Sequence, residues 1–286
     1  MRLGLVVQQG AAKRRTLVAE VKQRLVALED LPADPLAVLL NPELRSEVER
    51  RLRGGAPEVA ESAVTFLPPV VNPRALLCVG LNYADHAKEG NFERPKQPVF
   101  FLRLESSVVG HGVPMIRPRV SEQFDYEGEV VAVIGKAGRG ISASRALEHV
   151  VAYSLFNDGS VRDWQFKGPQ WTMGKNFDAS GAFGPFLVSA DEVPPGADGL
   201  RISTRLNGKV VQDASTRDLI FPVAELIAYV SEAVMLRPGD VIVTGTPSGV
   251  GFARKPPLFM KDGDVCEIEV ERIGVLRNPI RDEAAL

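Results

Sequence analysis

The string FDYEGEVVAVIG places Glu127 and Glu129 two residues apart in a segment that reads as a β-strand. Side chains alternate along a strand, so both carboxylates fall on one face. Val130 to Ile134 are all apolar, which predicts a strand buried on both sides. Two acids on one face entering a core repel each other and need a cation or shared protons. The next apolar run, VVAYSLF, ends at Asn157-Asp158-Gly159 and sets Asp158 at a strand end as a third acid. Three carboxylates without a soft ligand fit a hard divalent cation, Mg²⁺ or Mn²⁺, with positions left for water and substrate. A solvated strand edge, with Asp158 opening a turn, fits the same residues, and the spacing alone leaves both readings open.

Other polar residues follow the same runs. If Ser160 caps a short helix, Arg162 and Gln165 share a face beside Asp158, where a guanidinium fork and an amide can grip an acidic substrate. A surface arginine with an incidental glutamine has the same spacing. His86 and Glu89, in GLNYADHAKEGNFERPKQP, stand three apart, so on a helical turn the carboxylate can orient the imidazole as a general base, and a plain surface pair has the same spacing. Lys175, in TMGKNFD, can meet a developing oxyanion, or is a solvated lysine of the usual kind. GTPSGVG, residues 245–251, has neither Walker A nor dinucleotide-binding spacing; it offers Thr246 and backbone N–H groups to a carboxylate, or is a plain tight turn. His111 and His149 read as structural.

The elements that must position these residues are mostly strands. ALLCVGL, PVFFL, VVAVIG, VVAYSLF, RISTRLNGKVV, DVIVTG and DVCEIEV are short β-rich runs, separated by NDGS, LNGK, RPGD and KDGD turns. Helices are expected at 143–149 and around 223–234. A third is expected from Pro42 to Leu52, with Asn41 as N-cap and Gly54 at C′. Three prolines in FLPPVVNP break the chain into a small N-terminal α+β region, 1–70, and a larger part, 71–286. The fold class expected is α+β and β-dominated.

Bulk composition narrows the classes. Acidic and basic residues are interspersed and net charge is −2, which gives no basic footprint for nucleic acid. Cys78 and Cys266 lie in apolar runs without CxxC spacing and read as reduced core residues rather than zinc ligands. No apolar run approaches about 18 residues, and the N-terminus lacks a signal-peptide core, so no membrane partner and a cytoplasmic location are expected.

Taken in order, GLNYADHAKE, FDYEGEVVAVIG, FNDGSVRDWQ, MGKNFD, LNGKVVQDAST, RPGDVIVTGTPSGVG and GDVCEIEVERIGVLRNPI resemble the fumarylacetoacetate hydrolase family, from about residue 75 to 282. The likeness is to its acylpyruvase and oxaloacetate decarboxylase-like branch. The resemblance implies a mixed β-sandwich roll, usually dimeric, with Mg²⁺ or Mn²⁺ on Glu127, Glu129 and Asp158. It implies a water-activating dyad of His86 and Glu89, and substrate contacts from Arg162, Gln165, Lys175 and Thr246. FLRLESS departs from the family's FxKxxS-like string by carrying Arg103.

The activity so implied is metal-dependent hydrolysis of a carbon–carbon bond in a 2,4-dioxo acid. His86 would deprotonate a water that attacks the distal carbonyl, and Lys175 would meet the enolate released when the C3–C4 bond breaks. Decarboxylation of an oxaloacetate-like acid and isomerisation of a dienoic diacid use the same electrophilic centre. A non-catalytic module binding metal and 2-oxo acid is the rival from another class. A nucleotide-binding enzyme using the 245–251 loop is a further one.

Overall fold

All seven residues of Gly128–Ile134 are buried, as an unbroken apolar run requires. The computed structural model describes residues 1–8 and 14–284. Its first strands are β1 (Arg2–Gln8), β2 (Arg15–Val21), β3 (Arg24–Ala27), β4 (Val64–Leu67), β5 (Leu76–Gly80) and β6 (Val99–Leu102). Next come β7 (Val108–Val109), β8 (Met115–Arg117), β9 (Phe124–Asp125), β10 (Gly128–Ile134), β11 (Val150–Asn157) and β12 (Ser160–Val161). The last are β13 (Gly181–Ser189), β14 (Arg201–Leu206), β15 (Lys209–Ser215), β16 (Val241–Val243), β17 (Val265–Val270) and β18 (Gly274–Asp282). The α-helices are α1 (Pro35–Leu40), α2 (Pro42–Arg53), α3 (Ala84–Glu89), α4 (Arg162–Gln165), α5 (Thr172–Lys175) and α6 (Val223–Ala233).

A large mixed sheet runs β3-β2-β1-β13-β11-β10-β16-β5-β6, with β4 on β1 and β7 on β13. A second sheet runs β15-β14-β17-β18-β8, and β9 and β12 form a two-stranded pair. Alternation explains why β10 is buried twice. Val130, Ala132 and Ile134 enter a core shared with Leu206, Ile268 and Leu276 of the second sheet. Val131 and Val133 enter another core, under Val38, Leu39 and Val48 of the N-terminal helices. The β-dominated α+β class expected from the short runs and turns is the class found. The N-terminal segment joins the large sheet directly, because β1 pairs antiparallel with β13.

Several local expectations shift. Asn41 caps α2 by accepting from the N–H groups of Glu43 and Leu44, but the helix runs to Arg53. Gly54 is therefore the right-handed C-cap, and Gly55, at φ 79°, takes the left-handed position expected of Gly54. Residues 143–149 form a 3₁₀ rather than an α-helix. His149 Nδ1 meets the Lys136 carbonyl at 2.9 Å, a structural contact. Cys78 and Cys266 are free and buried. Among the described residues no helix is long and apolar enough to cross a membrane.

Candidate metal and substrate site

The antiparallel register of β10 on β11 pairs Gly128 with Asn157, which brings the two glutamates beside Asp158. Two main-chain anchors fix this corner. Asp158 N donates to Glu127 O at 2.9 Å, and Glu127 N donates to Asn157 Oδ1 at 3.1 Å. One carboxylate oxygen from each of Glu127, Glu129 and Asp158 lies within 4.8 Å of the others, and all three residues are buried. The solvated-edge reading therefore does not describe this chain.

Cationic side chains surround the acids. Lys175 Nζ stands 2.7 Å from Glu127 Oε2 and 2.7 Å from Asp158 Oδ2. Arg103 Nη1 donates to Asp158 Oδ1 at 2.5 Å and also reaches the Gly159 carbonyl. The departure from the family string thus lies directly behind an acid of the triad. Arg162 Nε donates to Asp125 Oδ2 at 2.8 Å. Its Nη1 donates to Gln165 Oε1 at 2.8 Å, and its Nη2 lies 2.7 Å from Glu127 Oε1 but is not aligned to donate to it. Ser160 does not cap α4 as the spacing suggested. It belongs to β12, and its hydroxyl donates to the Asp158 carbonyl, because the chain stays extended to Val161 before turning.

The centre holds four carboxylates, from Asp125, Glu127, Glu129 and Asp158, against three cations, from Arg103, Arg162 and Lys175. Burial favours the neutral acid for Glu127, but Lys175 and Arg162 outweigh it and hold its pKa below the usual range. Burial likewise works against the Lys175 ammonium, yet Asp158 and Glu127 raise its pKa. For Glu129 the Lys175 ammonium opposes burial too weakly to prevail. Burial, then Asp158 and Glu127, push its pKa well above the usual range, and the nearest relief is the Gly245 N–H at 2.5 Å. An all-oxygen donor set with one uncompensated charge fits a hard dication, which would turn the local balance from −1 to +1 and favour an anionic substrate.

The glycine loop serves the chain's own acids. Gly245 N donates to Glu129, Gly249 N donates to both oxygens of Glu89, and Gly251 N and Phe252 N donate to Asp125. Thr246 Oγ1 donates to the Gly128 carbonyl at 3.0 Å and accepts from Gln212 Nε2 at 2.8 Å. Glu89, so anchored, lies 3.0 Å from His86 Nδ1 on α3. A donor on Nδ1 leaves Nε2 as the basic nitrogen, a tautomer assigned from this partner.

His86, Glu127, Glu129, Arg162, Gln165, Lys175 and Thr246 all line one cleft with about 380 Å³ of empty space. Leu81, Phe92, Phe101, Phe166, Trp171 and Phe252 supply its apolar wall. A larger cavity lies by β2, β3 and the start of β18, away from the acids; the chemistry, rather than the volume, picks out the site. The sequence reading missed Asp125, Gln212 and the role of Arg103. Asp125 was open to the alternation argument, since it stands two residues before Glu127. Nothing in VVQDAST marked Gln212.

A sheet-dominated scaffold with a carboxylate-rich cleft defines a class of enzymes acting on small molecules. Within it, the family model for the fumarylacetoacetate (FAA) hydrolase C-terminal domain matches residues 75–281, and the chain belongs to that family. Oxaloacetate tautomerase FAHD2A, mitochondrial, of Homo sapiens is 44% identical over 237 residues, which is 82% of this chain and 75% of that protein. The cytoplasmic location expected above is not the one that relative's name carries. The fumarylacetoacetate hydrolase of psychrophilic Exiguobacterium antarcticum superposes with a TM-score of 0.85 at 33% identity, over 99% of this chain and 100% of that one. Maleylpyruvate hydrolase of Sphingobium sp. SYK-6, solved with manganese(II) and pyruvate, gives a TM-score of 0.82 at 25% identity, again over 99% and 100%.

Proposed function

We propose that this chain is a divalent-metal-dependent tautomerase of oxaloacetate, or of a 2-oxo diacid of similar size, interconverting keto and enol forms. One observation carries the reading: an imidazole backed by a carboxylate shares a cleft with a buried acidic centre one charge short of balance. Relatives named oxaloacetate tautomerases support the substrate.

A dication held by Glu127, Glu129 and Asp158 would supply Lewis acidity at the keto oxygen. His86 Nε2 removes a proton from C3 while Glu89 stabilises the imidazolium through Nδ1–H. The C3–H electron pair forms the C2–C3 double bond, and the carbonyl π pair moves to the C2 oxygen. The Lys175 ammonium faces the charge that develops there. Return of the proton to that oxygen completes the enol, and the reverse sequence ketonises it. Arg162 and Gln165, which line the same cleft, would hold a substrate carboxylate.

Hydrolysis of an acylpyruvate is the second reading, favoured by the same His86–Glu89 pair, which can equally deprotonate a water. Following the enol absorbance of oxaloacetate with Mg²⁺ or Mn²⁺, beside pyruvate release from acetylpyruvate, separates the two. His86→Gln is expected to slow tautomerisation by about 10²–10⁴-fold. Wild-type enzyme no faster than metal in buffer on oxaloacetate, with pyruvate released from acetylpyruvate, would transfer the assignment to hydrolysis.

A further inference from the structure

Gly80 is the last residue of β5 and lies on the wall of the cleft. Its backbone is outside the left-handed region, so the main chain does not call for glycine there. A neighbouring ring does: a Cβ built on Gly80 would fall 2.1 Å from the Trp171 indole. The indole therefore rests against bare main chain. It also meets the Phe101 ring at 5.7 Å between centroids, tilted by 73°. Trp171 is the N-cap of α5, and Lys175 is the last residue of that helix. The ring and the ammonium are thus held about one turn apart on one rigid piece.

Lys175, Arg162, Gln165, Glu127 and Glu129 give the cleft its polar lining, and Leu81, Phe92, Phe101 and Trp171 share the same walls. We propose that Trp171, seated on Gly80, is the specificity-determining residue that limits the length of the 2-oxo acid to about that of a four-carbon diacid. The inference rests on the 2-oxo acid reading of the site. It goes beyond it by naming what keeps longer acyl chains out.

The test reads affinity, which needs no turnover. Dissociation constants of 2-oxobutanoate and 2-oxooctanoate are measured by calorimetry on the Mg²⁺-loaded full chain, for wild type, Trp171→Phe and Trp171→Ala. Trp171→Ala is expected to shift the ratio of affinities toward the longer acid by at least about 10-fold, with Trp171→Phe shifting it less in the same direction. Should Trp171→Ala fail to give a cooperative melting transition, Trp171→Phe alone decides, with a shift of about 3-fold expected. A ratio unchanged or moved toward the shorter acid overturns the proposal. A shifted ratio in an enzyme that does not tautomerise oxaloacetate would sink the tautomerase reading and leave this one standing. Absence of binding by either acid to the wild type would remove both.

Discussion

Lys175 supplies the ammonium that Glu127 and Asp158 share, each at 2.7 Å. Without it, two buried carboxylates lose a partner, and in the proposed mechanism the charge on the reacting oxygen loses a donor. Lys175→Met is expected to lower kcat by about 10²–10³-fold, the usual cost of removing one such donor. Its affinity for Mn²⁺ should hold or tighten, since the acids are then left to the ion alone; a metal titration followed by calorimetry checks both limbs. His111 offers a contrast away from the site. Its Nδ1 accepts from Arg277 N at 3.1 Å, and Nε2 faces Glu61 at 3.2 Å. Burial lowers its pKa below 6.5, with Glu61 opposing. The folded chain therefore refuses a proton that the unfolded chain accepts. Its contribution is present above pH 6.5 and is lost as pH falls through 6.5 toward the folded value. Urea unfolding of His111→Asn is expected to depend less steeply on pH than wild type between about 7.5 and 5; an unchanged slope contradicts this.

At the scale of elements, the loop 245–251 is the organiser. Its N–H groups reach Glu129, Glu89 and Asp125, and that of the next residue, Phe252, also reaches Asp125, so one turn aligns acids from β10, α3 and β9. Gln212 braces that loop from the neighbouring sheet. It donates to Thr246 Oγ1 and the Pro247 carbonyl, and accepts from Gly128 N and Thr204 Oγ1. Gln212→Leu leaves those buried groups unpaired. A loss of roughly 2–3 kcal/mol is expected, read as a lower urea midpoint at unchanged slope. These elements also show what was legible in the sequence and what was not. The alternation that set Glu127 and Glu129 on one face is local, and so is the i, i+3 pairing of His86 with Glu89. Gln212 meets the loop across 34 residues of chain, and Arg103 meets Asp158 across 55. No spacing rule reaches that far. Ser160 looked like a cap because its residue type suits one. The structure shows its hydroxyl returning to the Asp158 carbonyl instead.

For the whole molecule, the two packed sheets place an acidic centre where water is largely excluded and its charges act at low dielectric. The β-dominated class followed from short apolar runs and their turns, because burial on one or both faces writes itself into alternation. The order of strands did not, since β1 pairing with β13 joins residues more than 180 positions apart. The account stands on the dication that such a centre calls for. Its most direct test is the rate of oxaloacetate enol–keto interconversion by metal-stripped enzyme titrated with Mg²⁺ and with Mn²⁺, for wild type and for Glu129→Gln. The expected result is a rate that is at background without metal, saturates with it in the wild type, and needs far more metal in the variant. A rate that is the same with and without metal, or a Glu129→Gln enzyme that saturates like the wild type, would contradict the account.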